Sequence, residues 1–233
     1  MRKILISVVF CLISSFTAAA QKEGPNNKQV SEAAKTAQKA TKALDEIMAV
    51  SDRAIPSDLL RKAKAVAVFP NVIKGAFIVG GQGGKGFIVH KLGNSWGAPA
   101  MFKLGGGSVG LQIGGSSTDV IMLFMSDNSV KNLLEDKFEI GGEASAAAGP
   151  VGRTAKASTD AQFQAEILSY SRSKGLFAGI SLSGVVISPD NDANQALYGH
   201  NARDLLSGTA VRPPLVIPPA TKPFQQAVAR YAR

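Results

Sequence analysis

Apolar residues recur at helical spacing over residues 28–50, where Val30, Ala33, Ala34, Ala37, Leu44, Ile47 and Met48 share one stripe. The spacing predicts a helix, and Asn26 or Asn27 after Pro25 can cap it. Its stripe is rich in alanine, three of the seven residues, so it should pack closely but weakly. A second helix is predicted over 57–67. Pro56 suits a first helical position, and Asp58 puts a negative charge in the first turn. Leu59, Leu60, Ala63, Val66 and Ala67 form its apolar face, while Arg61, Lys62 and Lys64 point elsewhere. From Val66 to Phe69 the pattern drifts toward strand, and Pro70 stops the helix.

Beyond Gly75 the period changes. Residues 75–115 hold 14 of the 24 glycines, and short apolar runs lie between them. The runs are Phe77-Ile78-Val79, Phe87-Ile88-Val89, Met101-Phe102-Lys103-Leu104 and Val109-Gly110-Leu111-Gln112-Ile113. They predict a β-meander with glycine-dependent turns, in which strand glycines mark bulges, bends or close backbone approach. Val120 to Met125 is a continuous apolar run, expected as a strand buried on both faces, with Ser126 or Asp127 capping a short helix after it. Further strands are expected within 161–170, 176–182 and 185–187. Residues 189–198 read as a short helix or loop. Five prolines from Pro213 to Pro223 exclude regular structure until a terminal helix near 224–231. The expected class is α+β: a glycine-rich, strongly curved, mainly antiparallel sheet or partly closed barrel, with N-terminal helices packed on it.

The ends add an address and a charge. Arg2 and Lys3, the apolar run Ile4–Phe16 and the small residues Ala18-Ala19-Ala20 read as a cleavable export signal over 1–20. The expected division is then a helical arm at 21–52, a central domain at 53–200 and a basic, proline-rich tail at 201–233. Cleavage removes Cys11, the one cysteine, which excludes disulfide and thiol chemistry from the mature chain. The net charge of +9 is uneven. Residues 28–74 hold nine basic and five acidic side chains, residues 202–233 hold five and one, and residues 75–201 hold nine and ten. An anionic partner for the two ends is expected.

Catalytic motifs fail on context. Gly81–Gly86 satisfies G-x-G-x-x-G, but a strand pattern follows where a dinucleotide site needs a helix. Gly106–Gly110 satisfies G-x-S-x-G, again without helix-forming sequence after Ser108. Ser171–Lys174 and Ser126-Asp127-Asn128 mimic penicillin-recognising enzymes in the wrong order and without K-T-G. His90 and His200 stand alone, so neither a metal nor another cofactor is expected. Aromatic and basic residues do not interleave as a nucleic-acid surface requires.

An ordered set of motifs resembles the SYLF family. It comprises Ile55-Pro56, Phe69-Pro70, Lys74–Phe77, Gly80–Gly86, Trp96–Pro99, Gly107–Gly114, Asp119, Gly149–Arg153, Ser169–Gly179 and Tyr198-Gly199. The resemblance covers about Arg53 to His200. It implies a non-catalytic lipid-binding module, in which a basic amphipathic helix contacts the membrane. Transferred by position, the lipid-contacting set is Leu59, Leu60, Arg61, Lys62, Lys64 and Lys74. Eukaryotic members bind phosphoinositides and, in fungi, actin. An exported chain is not expected to meet either, which leaves anionic phospholipid of a bacterial envelope, with peripheral attachment in the periplasm or outside. The alternatives are an envelope adaptor that binds a protein partner through its tail, and a serine hydrolase acting through Ser108 or Ser171.

Overall fold

The computed structural model describes residues 25–50, 54–76, 80–108, 114–135, 137–152, 164–173, 176–180, 182, 184–208 and 215–233. The expected export signal and the runs at 77–79 and 109–113 lie outside the described residues.

Among the described residues, ten strands form one sheet. In chain order they are β1 (Ala65–Ala76), β2 (Gly80–Leu92), β3 (Ser95–Trp96), β4 (Ala100–Ser108), β5 (Gly114–Phe124), β6 (Phe138–Ile140), β7 (Ala146–Ala148), β8 (Ile167–Ser173), β9 (Leu176–Gly179) and β10 (Val185–Pro189). Their order across the sheet is β6-β10-β4-β2-β1-β5-β8-β7, with β3 on β2 and β9 on β8. Every pairing between strands is antiparallel except β7 with β8. The described helices are α1 (Pro25–Met48), α2 (Ser57–Lys62), α3 (Asp127–Asn132), α4 (Asn191–Tyr198), α5 (Ala202–Ser207) and α6 (Lys222–Tyr231). The sheet curls until it is nearly closed into a barrel, which is the α+β class read from the sequence.

Alternate residues along the strands go to opposite cores. Val66, Val68, Phe87, Val89, Met101, Ile121, Leu123, Leu168 and Tyr170 join α1, α2 and α6 on one face. Ala65, Ala67, Phe69, Val72, Ile88, Phe102, Val120, Met122 and Phe124 fill the other with α3, α5, β6 and β10. Both faces of residues 120–124 are therefore buried, as the unbroken apolar run required.

Helix α1 lies across the strands. Glu32 reaches Lys85 on β2 (3.8 Å), and Glu46 pairs with Arg172 on β8, with β1 and β5 between them. The stripe of Ala33, Ala37, Ala40 and Ala43 is buried, which lets the helix sit low on the sheet.

The second helix is shorter than its pattern implied. It ends at Lys62, and β1 begins at Ala65. Val66, Ala67, Val68 and Phe69 suit either period in sequence, and burial on two faces decides for the strand. Pro70 therefore stops no helix. It sits inside β1 beside a bulge, where both neighbouring registers shift. Asn71 at that bulge has φ 53, and its N–H donates to Asp119 Oδ1 at 2.9 Å. Gly86 makes the same region possible: a Cβ there would lie 2.3 Å from the Val68 carbonyl oxygen.

Two resemblance motifs meet in space. A Cβ on Gly149 would lie 2.1 Å from the Tyr170 ring, and one on Gly179 would lie 2.3 Å from the Gly149 oxygen. Burial pushes the Tyr170 phenol up from its ordinary value. The S-Y-S-R segment is thus a packing element around Tyr170, and Arg172 anchors α1 through Glu46 while lying 3.4 Å from Asp119.

Candidate functional site

The catalytic motifs resolve into structure. Gly81–Gly86 lies wholly within β2. Ser108 ends β4, the next described element is β5, and neither is a helix. Ser171 is mid-strand, between Val120 and Ala178. Ser126 is the N-cap of α3 and accepts from the Ser129 N–H at 3.0 Å. His90 Nδ1 contacts the Leu206 carbonyl at 2.6 Å. Among the described residues no group of three or more His, Cys, Asp or Glu could hold a metal ion. No described helix is long and apolar enough to cross a membrane.

What the chain does assemble is a basic surface where the strands end under α2 and α6. Arg61, Lys91 and Arg233 meet there, Lys62 and Lys64 follow Arg61 in the chain, and Arg230 lies in the last turn of α6. Three of these cations have acidic neighbours: Arg61 pairs with Asp58, Lys64 with Asp127 at 3.3 Å, and Arg230 with Asp45 at 2.6 Å. The side chains of Lys62, Lys91 and Arg233 have no aspartate or glutamate carboxylate within ion-pair distance among the described residues. Lys91 Nζ donates to the Arg61 carbonyl at 3.0 Å, and the Arg61 guanidinium reaches the main-chain oxygen of Arg233 at 3.5 Å. These bonds lock the elements into one surface.

A groove of about 410 Å³ opens beside these cations. Lys91, Asn94, Ser95 and Trp96 line one wall, and Gln225, Gln226, Ala229, Ala232 and Arg233 line the other. The hairpin turn at Gly93 (φ 61) sets Lys91 directly opposite Trp96, with its ammonium 6.0 Å from the ring centroid. Gln225 Nε2 donates to the Trp96 carbonyl at 2.6 Å and closes the floor.

The structure separates the six residues named from sequence. Leu59 and Leu60 are buried in the core, so α2 shows solvent its charges and not its apolar face. Arg61 and Lys62 are exposed, and Lys64 is half-buried beside them. Lys74 lies at the far end of β1, on the order of 30 Å from Lys64 at ~3.3 Å per strand residue. It belongs to a different surface. Sequence reading missed Lys91, Gln225, Gln226, Arg230 and Arg233 as site residues. The L-G-N-S turn at 92–95 signals the Lys91–Trp96 pairing, and the positive balance of 202–233 signals the arginines.

Two polar clusters lie elsewhere. Buried Asp190 sits between Lys103 (3.0 Å) and Lys85 (3.1 Å) at the start of α4. Glu166 accepts from Asn128, Ser126 and the Ser145 N–H. The Asn128 bond leads in holding its carboxyl below the ordinary value, against the opposing effect of burial.

A family model described as "Las17-binding protein actin regulator" matches residues 105–231. LAS seventeen-binding protein 3 of Saccharomyces cerevisiae is 35% identical over 187 residues, which are 78% of this chain and 40% of the yeast protein. Protein YSC84 of the same species is 35% identical over 174 residues, 72% of this chain and 37% of its own length. SH3 domain-containing YSC84-like protein 1 of Homo sapiens is 32% identical over 197 residues, 81% and 57% respectively. The chain thus spans from under two fifths to under three fifths of these relatives.

Proposed function

This chain belongs to the SYLF (Ysc84) family, and on that premise we propose that it is a non-catalytic module that adsorbs to anionic phospholipid. The observation that supports this reading most is the exposed pair Arg61 and Lys62 on α2 with Lys64 beside them, Lys62 having no acidic partner among the described residues. Each basic side chain near an anionic bilayer contributes ~1 kcal/mol. Leu59 and Leu60 are engaged in the core, so the binding is electrostatic and not insertional. The cell envelope is the proposed location, with residues 1–20 as the export signal. A secreted product whose N-terminus is not Gln21 would count against that part.

Co-sedimentation with vesicles of phosphatidylglycerol and phosphatidylcholine tests the lipid reading. Bound protein should rise with the anionic fraction and fall with salt. Replacing Arg61, Lys62 and Lys64 together with glutamate should abolish it. Binding indifferent to both lipid charge and salt would overturn the reading.

The names of the yeast relatives favour a second reading, an adaptor for a protein partner. Val216, 82% exposed in the proline-rich stretch, is consistent with such a contact. Loss of a captured partner on deleting residues 213–219 would support it, and unchanged capture would count against it.

A further inference from the structure

We propose that the groove between the β2–β3 hairpin and α6 binds an extended acidic peptide. This gives the adaptor reading a site of its own, separate from the proline-rich stretch and from the lipid-facing charges of α2.

The groove's chemistry selects the ligand. Its two cations are Lys91 on the hairpin wall, whose ammonium also donates to the Arg61 carbonyl, and Arg233 on the other wall. They lie near the C-terminal end of α6, where the helix dipole is negative. Phosphate dianions are typically held by helix N-termini and nests of backbone N–H groups. Here only the two side-chain cations favour an anion, and the opposing helix C-terminus penalises a single carboxylate charge less than a phosphate dianion.

The remaining polar lining suits a peptide backbone. Asn94 and Gln226 are exposed, and each carries both a donor and an acceptor, as a peptide unit does. Gln225 gives one amide N–H to the Trp96 carbonyl, which holds its side-chain carbonyl as an acceptor for a peptide N–H. Ala229 and Ala232 keep the α6 wall low, so a chain can lie along it. Trp96 gives the floor an aromatic edge. A ligand with alternating backbone amides and carboxylates answers all of these groups together, whereas a lipid headgroup would leave most of the amides unused.

Trp96 is the chain's only tryptophan, so its emission reports on the groove directly. The experiment titrates full-length protein with a capped deca-glutamate peptide in near-physiological salt. A saturable change in Trp96 emission is expected, and a capped deca-lysine peptide should give none. Lys91→Glu should weaken the peptide about tenfold, and Gln226→Glu, a milder surface change, about threefold. Lys74→Glu, the same charge reversal at the far end of β1, should leave it within about twofold, as screening over that distance requires. No emission change with deca-glutamate would overturn the proposal. Equal weakening by Lys74→Glu would overturn it too, by reducing the effect to net charge. Inorganic phosphate or phosphatidylglycerol vesicles that compete the peptide from Trp96 would reassign the groove to phosphate or to headgroups. The adaptor reading is tested apart from this by partner capture, so either can fail alone.

Discussion

The two ends of the long central strands are built on opposite terms. Where Ala65, Phe124 and Ile167 pair, the strands end among α2, α3 and α6, and the side chains are buried or charged. At the other end, Gly107, Gly81, Gly75 and Gly115 stand in one row across four adjacent strands. A Cβ on Gly81 or Gly107 would meet nothing within 4 Å. Gly86, between these ends, has no such room. Glycine therefore has two meanings in one sheet: at Gly86 packing forbids anything larger, and at Gly81 and Gly107 packing is indifferent. The basic end, where side chains are specified, is where the proposed binding surface lies.

Substitutions can break this contrast. Gly86→Ala should cost the most, about 3 kcal/mol or more, because a methyl would drive into the Val68 carbonyl and Phe69. Chemical denaturation checks it, and a loss below about 1 kcal/mol would mean that the bulge relaxes freely. Leu60→Ala follows at about 2–4 kcal/mol, since this side chain is fully buried under α2. A near-neutral result would show that α2 is undocked in solution. Glu166→Gln should cost about 1 kcal/mol at neutral pH through its hydrogen bonds. The depressed pKa fixes the sign: the stabilisation is full above the ordinary carboxylate value and is lost as pH falls through the lower, folded value. Melts of the variant and the parent should converge in acid. Smallest of all, Gly81→Ala and Gly107→Ala should be neutral or stabilising by about 0.5 kcal/mol, because they stiffen the unfolded chain without a clash. A clear destabilisation there would show that this end packs against something.

Much of the architecture can be read from periodicity alone. The alanine stripe of α1, the doubly buried run at 120–124 and the Ser126 cap all follow from local pattern. The boundary after α2 does not, because Val66 to Phe69 fit both periods until the two cores choose between them. The candidate surface was half legible. Arg61 and Lys62, named from the sequence, lie exposed on it, but Leu59 and Leu60 are amphipathic in sequence whether the partner is a bilayer or a core. The groove was hidden for a different reason. Gln225 and Trp96 are 129 residues apart, and only the docking of α6 on the β2–β3 hairpin joins them.

The contrast between the ends comes down to two lysines, Lys62 beside the basic groove and Lys74 at the glycine-rich end. Vesicle affinity of Lys62→Glu and of Lys74→Glu, measured on phosphatidylglycerol vesicles at one salt concentration, compares them directly. Lys62→Glu should lose about tenfold and Lys74→Glu less than about twofold. Equal losses, or a larger loss from Lys74→Glu, would contradict the placing of the lipid surface at the basic end.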